Sequence, residues 1–145
     1  MASQSSTFRV DDCFLVCDKF CYRILEMQAD AIVRRYPSMR IASLRLSWAV
    51  PSRSTALGRD RPNDLWGYVQ EDSAAEAFLL ALSDDGQRWS GHERFFIAAP
   101  SMASDEDFET LRRRSYGDVP AKEGTWTSCF DCAKAERLLG WVHKE

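Results

Sequence analysis

The sequence lacks a long apolar segment, a signal peptide and an excess of basic residues, and each absence excludes a class of protein. Its longest apolar run, around Ala74 to Leu82, is interrupted by Glu76 and falls far short of the roughly 20 residues that cross a bilayer. Residues Met1 to Thr7 are polar and lack an apolar signal core. The formal net charge is -3, so no global positive field attracts a nucleic acid. We therefore expect a cytoplasmic protein that binds neither a membrane nor a nucleic acid.

Five cysteines occur without a secretion signal, which favours reduced thiols over a disulfide framework. Cys13, Cys17 and Cys21 recur every four residues, a spacing that places thiols along one stripe of a helix as small buried groups. Cys129 and Cys132 form a C-x-x-C pair, which is half of what a zinc site needs or a redox pair. No second pair follows, so we expect no metal site.

The composition indicates one compact, folded domain. A chain of 145 residues buries roughly 68 to 70% of the surface that it exposes when unfolded. The 45% hydrophobic and 12% aromatic content argues against wholesale disorder. Only residues 1–10 are expected to be disordered.

Apolar periodicity predicts alternating helices and strands. In chain order we predict a helix over 12–36, a strand over 39–50, an exposed loop over 52–63, a short extended segment over 65–69, a helix over 72–82, a strand over 94–99, a helix over 104–116 and a helix over 132–139 that ends at Gly140. Alternation of this kind is typical of α/β layering around parallel strands.

Several polar positions carry more specific expectations. On the first helix an apolar stripe that includes Ile24 and Met27 is set against a solvated charged face; the charged residues are Asp18, Arg23, Asp30, Arg34 and Arg35. His92 is expected in a surface turn. Ser104 is expected to cap the helix that ends near Tyr116, with Asp107 three residues later in a capping-box-like arrangement. The arginines near the end of that helix are expected to be surface charge that offsets the helix dipole; they are Arg112, Arg113 and Arg114.

Four segments follow one another in the order of a known family. They are L-R-L-S-W-A-V-P (Leu44 to Pro51), L-W-G-Y-V-Q-E-D-S-A-A-E-A-F-L-L-A-L (Leu65 to Leu82), F-F-I-A-A-P (Phe95 to Pro100) and A-K-A-E-R-L-L-G-W (Ala133 to Trp141). Together they resemble the carboxy-terminal half of extended short-chain dehydrogenases/reductases of the NAD-dependent epimerase/dehydratase family, from about Glu26 to the end of the chain. The resemblance implies an α/β, truncated Rossmann-like fold: a few parallel strands, flanking helices and the small substrate-binding portion. Residues 1–145 would form a single partial domain without the Gly-rich nucleotide-binding half.

The resemblance also implies NAD or NADP and a Y-x-x-x-K catalytic pair, but both motifs are broken. The seven glycines are not clustered, so no Gly-rich turn is present to hold a pyrophosphate. Lys19 is a candidate for the family's lysine, yet Leu15 stands four residues earlier. Counting back from Glu26, which resembles the family's glutamate, puts Tyr22 at the lysine position and Asp18 at the tyrosine position. Neither register restores the pair.

These observations lead to two functional hypotheses. The first is the substrate-side part of an NAD(P)-dependent epimerase, dehydratase or reductase for a small carbonyl, alcohol or nucleotide-sugar substrate, catalytically impaired as it stands. Its catalytic candidates are Lys19 and Tyr22, and its cofactor candidates are Val50 and Pro51, which resemble the family's strand end near the nicotinamide. The alternative is a non-catalytic interaction module that forms a homodimer through the first helix.

Overall fold

A computed structural model describes residues 20–83, 88–117 and 127–145. Helices and strands alternate through these ranges: α1 (Phe20–Arg35), β1 (Ile41–Leu46), β2 (Trp48–Val50), α2 (Arg53–Ala56), a 3₁₀ turn (Pro62–Asp64), β3 (Tyr68–Gln70), α3 (Glu71–Ser83), β4 (His92–Ile97), α4 (Phe108–Tyr116) and α5 (Ala133–Leu139). None of these described helices has the length and apolar character needed to cross a membrane. The predictions for residues 1–10, for Cys13 and Cys17 and for the first part of the helix over 12–36 lie outside the described residues.

The described strands form two parallel pairs. Strand β1 pairs with β4, with Ile41 opposite His92 at one end and Leu46 opposite Ile97 at the other. Strand β2 pairs with β3 over three residues each. The prediction of an α/β protein with parallel strands is therefore confirmed.

The predicted strand over 39–50 is in fact two strands. The break falls at Ser47, whose backbone N–H donates to the Ile97 carbonyl at 3.1 Å and ends the pairing of β1 with β4. Trp48 then begins the pairing with β3. The chain after β4 joins the two pairs, because the Ala99 N–H donates to the Tyr68 carbonyl at 2.7 Å. A regular apolar alternation cannot show this change of partner, because both strands have the same period.

One face of the β1–β4 pair is apolar and forms the main core under α3 and α5. Alternate residues of a strand point to opposite faces, so Phe95 and Ile97 share this side of β4. Both are fully buried, as are Val69 of β3, Ala77 of α3 and Ala135 of α5, all in one cluster. Full burial of a large apolar side chain stabilises the fold by about 1.5–3 kcal/mol, so this cluster is the main hydrophobic contribution.

The carboxy-terminal residues close this core. Gly140 ends α5 with φ of 73°, a left-handed conformation that glycine adopts readily, as predicted for the end of that helix. The chain then turns Trp141 inward, where it is 1% exposed. Its indole N–H donates to the Ser73 carbonyl of α3 at 2.8 Å.

The opposite face of the β1–β4 pair is polar and lies under α1. We call its six residues the polar layer: Glu26, Asp30, Ser43, Arg45, His92 and Arg94. Arg45 of β1 donates to both carboxylate oxygens of Glu26, each at 2.7 Å, and Arg94 of β4 donates to Glu26 at 3.0 Å. One carboxylate on α1 therefore holds both strands.

Asp30 extends the polar layer by one helical turn. It accepts from the Arg94 guanidinium at 2.5 Å and from Nδ1 of His92 at 2.8 Å. The other ring nitrogen of His92 lies 2.7 Å from the Ser43 hydroxyl. The arginine bonds lower the pKa of Glu26, with Arg45 the larger cause, and the His92 and Arg94 bonds lower the pKa of Asp30. Both acids are therefore ionised at neutral pH.

The polar layer corrects three of the sequence interpretations. The apolar stripe of α1 is not its buried face, because Ile24 is 41% exposed and Met27 is 66% exposed, whereas Glu26 is 7% exposed. The interpretation of His92 as a surface turn residue was wrong, since it begins β4 and its side chain is 1% exposed. Asp30, expected to be solvated, is half-buried in ion pairs. The physical reason is the same in each case: the sheet offers α1 a polar face, so α1 turns its acids inward.

Two local predictions also differ from the structure. The predicted loop over 52–63 contains α2 and the first two residues of the 3₁₀ turn, and Ala56 within it is fully buried. Helix α4 is capped by Asp107 rather than Ser104, since an Asp107 carboxylate oxygen accepts from the Thr110 N–H at 3.0 Å. The Ser104 hydroxyl accepts from the Glu106 N–H instead, in the turn before the helix.

The substitution Glu26→Gln should destabilise the protein by about 2 kcal/mol, because it leaves Arg45 without its anionic partner and removes one of the two carboxylates that bind Arg94. The cost stays below that of a fully buried pair, since the side chains of Arg45 and Arg94 are 39% and 36% exposed. Urea unfolding followed by circular dichroism measures the change. Glu109→Gln is the matched control, because Glu109 pairs with Arg112 and Arg113 on the surface. Equal stability of the two variants would contradict the anchoring role of Glu26.

The stabilisation from Glu26 should also depend on pH. Its folded pKa lies below its ordinary value of 4.5, so the contribution is complete above pH 4.5 and is lost as the pH falls through the lowered value. The free-energy difference between the wild type and Glu26→Gln should therefore shrink below pH 4.5. Urea unfolding of both proteins between about pH 7 and pH 3 measures it. A difference that stays constant over this range would show that the charge of Glu26 is not what stabilises the fold.

Candidate functional site

The four sequence-predicted site residues do not form one described site. Lys19 lies outside the described residues. Tyr22 is in the first turn of α1 and is 42% exposed. Val50 ends β2 and is 2% exposed, in a core cluster made with Ala56, Tyr68, Ala99 and Ala103 that includes no α1 residue. Pro51 follows it and is exposed.

A cleft of about 490 Å³ lies between the segments that follow β2 and β4. Gly58, Arg59 and Asp60, which follow β2, line one side, and residues 103–106, which follow β4, line the other. Trp66 and Arg114 complete the lining. Segments that follow strands in α/β proteins often carry binding residues, so this cleft is the candidate site.

Trp66 lines the cleft, and the backbone at this residue has an unusual conformation. Leu65 and Trp66 have φ of 53° and 51°, in the left-handed region that side-chain-bearing residues rarely adopt. Each such residue costs on the order of 1 kcal/mol, which neighbouring contacts must offset. The Trp66 carbonyl accepts from the Ala103 N–H at 2.8 Å, and the ring packs edge-on against Tyr116, with Met102 and Leu111 in the same cluster.

The residue after Trp66 is a glycine because of close approach. A Cβ at Gly67 would lie 2.4 Å from the Phe130 ring and 2.8 Å from the Ser47 hydroxyl. No side chain fits there without moving both neighbours. Gly67 therefore lets β3 enter between these two residues and fixes where Trp66 lies.

The charges in the cleft are mixed. The Trp66 indole N–H donates to Asp60 at 2.9 Å. Arg114 donates to Glu106 at 2.9 Å and lies 3.7 Å from Asp60. Arg59 lies over the Trp48 ring, with its guanidinium carbon 5.1 Å from the centroid. The arrangement offers hydrogen-bond donors and acceptors around an aromatic ring, which suits a polar organic ligand better than an ion of one sign.

The three arginines of α4 therefore have two different kinds of surroundings. Arg112 and Arg113 pair with Glu109 three and four residues earlier, as surface charges do, and this pairing lowers the pKa of Glu109 to about 2. Arg114 instead lines the cleft. Sequence reasoning treated all three as surface charge and so missed Arg114.

A second, smaller cavity of about 210 Å³ lies between α5 and the chain end. Cys132 lines it and donates weakly to the Ala98 carbonyl at 3.5 Å, and burial raises the pKa of this thiol. His143 also lines it, and burial lowers the pKa of its ring. Cys129, the other half of the C-x-x-C pair, is exposed. Through the described ranges, no three potential ligands among His, Cys, Asp and Glu come together at a metal-binding distance.

The starts of α3 and α4 do not suit the pyrophosphate of a dinucleotide. Such a site needs glycines and free amide groups at a helix start. Strand β3 instead runs directly into α3, whose first turn carries Glu71 and Asp72. Helix α4 begins at the ionised Asp107, which already occupies the Thr110 amide. Negative charge at both helix starts repels a second anion.

Compared with protein-family models, curated proteins and solved structures, the chain matches none. The site is therefore interpreted from its own chemistry.

The two thiols of the C-x-x-C pair should react at different rates. Burial raises the pKa of both thiols, so at pH 7.5 both thiolate fractions are small, but Cys129 is exposed whereas Cys132 is half-buried and donates to the Ala98 carbonyl. We expect iodoacetamide to modify Cys132 at least about tenfold more slowly than Cys129, by peptide mass spectrometry. The control is the same chain in urea, where the rates should converge. Faster modification of Cys132 would show an activated thiol and revive a redox role.

Proposed function

We propose that this chain is the substrate-side, carboxy-terminal part of an NAD(P)-dependent epimerase, dehydratase or reductase, and that it is catalytically impaired as it stands. The observation that carries the proposal is the cleft beside Trp66, which is lined by the segments that follow β2 and β4. A truncated Rossmann-like fold would build its substrate-binding portion from the segments that follow its strands.

The arrangement of the elements supports the same proposal. The four segments that resemble the family fall on the end of β1 with β2, on β3 with α3, on the end of β4, and on α5. All described strand pairs are parallel, as the family's sheet requires. The substrate class would be a small carbonyl or alcohol compound or a nucleotide sugar, since the cleft combines an aromatic ring with donors and acceptors.

Impairment follows from what the chain offers for chemistry. The starts of α3 and α4 do not suit the pyrophosphate of NAD or NADP, and the glycines of the chain are not clustered into a turn that would hold it. Tyr22 lacks a lysine four residues later, and Lys19 lacks a tyrosine four residues earlier. A positioned acid or base contributes typically 10²- to 10⁴-fold, so losing the pair leaves at most slight activity.

The tryptophan side chains provide the experiment. The chain has five, and in a ¹⁵N-labelled sample each indole N–H gives one signal. Trp66 reports on the cleft, whereas Trp141, whose N–H bonds Ser73 inside the core, reports on the fold. The substitution Trp66→Phe assigns the cleft signal.

We expect a nucleotide sugar or a small carbonyl compound, at concentrations on the order of 1 mM, to shift the Trp66 signal and leave that of Trp141 in place. Arg114→Gln should weaken this binding about tenfold by removing a charged donor. Arg137→Gln, on the exposed side of α5, is the matched control. NADH and NADPH should shift neither signal.

Two results would contradict the proposal. Binding of NADH or NADPH at micromolar affinity would mean that a cofactor site exists and that the chain is not impaired in the way argued. A Trp66 signal that no compound of either class moves would remove the substrate-side assignment.

A second candidate function is a non-catalytic interaction module, with a homodimer through α1. The observation that favours it is the exposure of apolar side chains on α1, where Leu25 is 45% exposed and Ile32 is 39% exposed beside Ile24 and Met27. Clusters of exposed apolar side chains on a helix mark contacts with other proteins.

A further inference from the structure

Helix α1 presents an outward surface that is apolar and positively charged. Its only two acids, Glu26 and Asp30, point inward to the polar layer. Its three arginines are all exposed; they are Arg23, Arg34 and Arg35. We call the surface formed by Ile24, Leu25, Met27 and Ile32, with Arg34 and Arg35 at its end, the α1 outer face.

Helix α3 presents the complementary surface. It buries the side that carries Ser73, Ala74 and Ala77. Phe78, Leu79 and Leu82 are 48%, 66% and 83% exposed, and they follow the exposed Ala75 at the spacing of one helical face. The charged residues of α3 are Glu71, Asp72 and Glu76, with no basic residue. We call Ala75, Phe78, Leu79 and Leu82, with Glu71 and Asp72 at their start, the α3 stripe.

We propose that the α3 stripe of one copy of this chain docks on the α1 outer face of a second copy. The proposal rests on the second candidate function and names its contact surfaces. Charge complementarity favours this pairing, because the α1 outer face carries Arg34 and Arg35 and no outward acid, whereas the α3 stripe carries Glu71 and Asp72 and no basic residue.

The contact must be between chains. Helix α1 covers the polar face of the β1–β4 pair, whereas α3 packs on the apolar face of the same pair. The two surfaces of one molecule therefore lie on opposite sides of a sheet. Each copy offers one of each, so the contact is head-to-tail and each added copy leaves one surface open unless a ring closes.

The charges also set the direction of the helices. The acids stand at the start of α3, and the paired arginines stand at the end of α1. Antiparallel packing brings these ends together and aligns the apolar residues of α3 with those of α1. The lengths agree, since helices of 13 and 16 residues extend about 20 and 24 Å.

A contact of one helix with another is small, so the association should be weak and reversible. The buried area would be smaller than that of stable complexes, so we expect association at chain concentrations on the order of 100 µM. Because paired charges contribute, it should weaken by about tenfold when the salt concentration rises from about 0.05 to 0.5 M. A purely apolar contact would not weaken with salt.

Sedimentation velocity of the full chain tests the proposal with two variants. Ile24→Gln with Ile32→Gln alters the α1 outer face, and Leu79→Gln with Leu82→Gln alters the α3 stripe. Glutamine is neutral and favours helix, and circular dichroism establishes that each variant is folded. Each variant alone should associate at least tenfold more weakly than the wild type. An equimolar mixture should form a dimer that grows no further, because it holds one intact surface of each kind.

Charge reversal is an independent test. Arg34→Glu with Arg35→Glu should weaken association at least tenfold at low salt, whereas Arg137→Glu, on the exposed side of α5, should not change it. Equal effects of the two reversals would overturn the assignment of Arg34 and Arg35 to the contact.

The remaining outcomes separate this inference from the candidate on which it rests. If the α3 variant associates like the wild type and the α1 variant does not, a symmetric dimer through α1 exists and the head-to-tail contact is wrong. If the α1 variant associates like the wild type, α1 takes no part in the contact and the inference is wrong. A wild-type chain that stays monomeric up to about 500 µM would overturn both the inference and the dimer.

Discussion

The structure depends on one carboxylate, that of Glu26. It accepts hydrogen bonds from Arg45 on β1 and Arg94 on β4, so a single side chain of α1 connects the helix to both strands of the pair. A pair of parallel strands has little stability alone and needs covering layers on its faces. The apolar face has its layer in α3 and α5, and on the polar face charge-assisted hydrogen bonds take the place of a hydrophobic core. Bidentate arginine bonds have fixed geometry, so they also set the position of α1 along the strands.

This arrangement determines what α1 shows to its surroundings. A helix with an apolar stripe normally buries that stripe, but here burial is taken by Glu26 and Ala29. The apolar side chains of α1 are therefore exposed, together with its arginines, which do not pair with Glu26 or Asp30. The polar layer is thus the cause of both the exposed apolar surface and its positive charge. A substitution that made this face of the β1–β4 pair apolar would remove the reason for α1 to bury its acids and expose its apolar side chains.

Much of the fold could be predicted from the sequence, because apolar periodicity and the residues that end helices and strands are local signals. The parallel α/β order, α3, β4 and the end of α5 at Gly140 follow from apolar spacing and from one glycine. The break at Ser47 could not be predicted, since it arises from a change of hydrogen-bonding partner within a continuous apolar alternation. The polar layer joins residues that lie as far as 68 positions apart, and no local pattern reports such a contact.

The candidate site was the least predictable part. The sequence predicts an exposed loop over 52–63 but not that Gly58 to Asp60 line a cleft. Trp66 lies there because two residues adopt a left-handed backbone that tertiary contacts hold in place, and side-chain identity carries no signal for it. Arg114 reads as a surface charge next to Arg112 and Arg113, and only the path of the chain after β4 brings it to the cleft.

The first turn of α3 connects the two proposals. Glu71 and Asp72 suit a helix start, because negative charge there is favourable to the helix dipole. The same two charges make that helix start repel a pyrophosphate, which is the reason against a cofactor at this junction. They also give the α3 stripe the sign that the arginines of α1 attract. A helix start that disfavours an anionic ligand therefore also carries the charge needed for the proposed contact between chains.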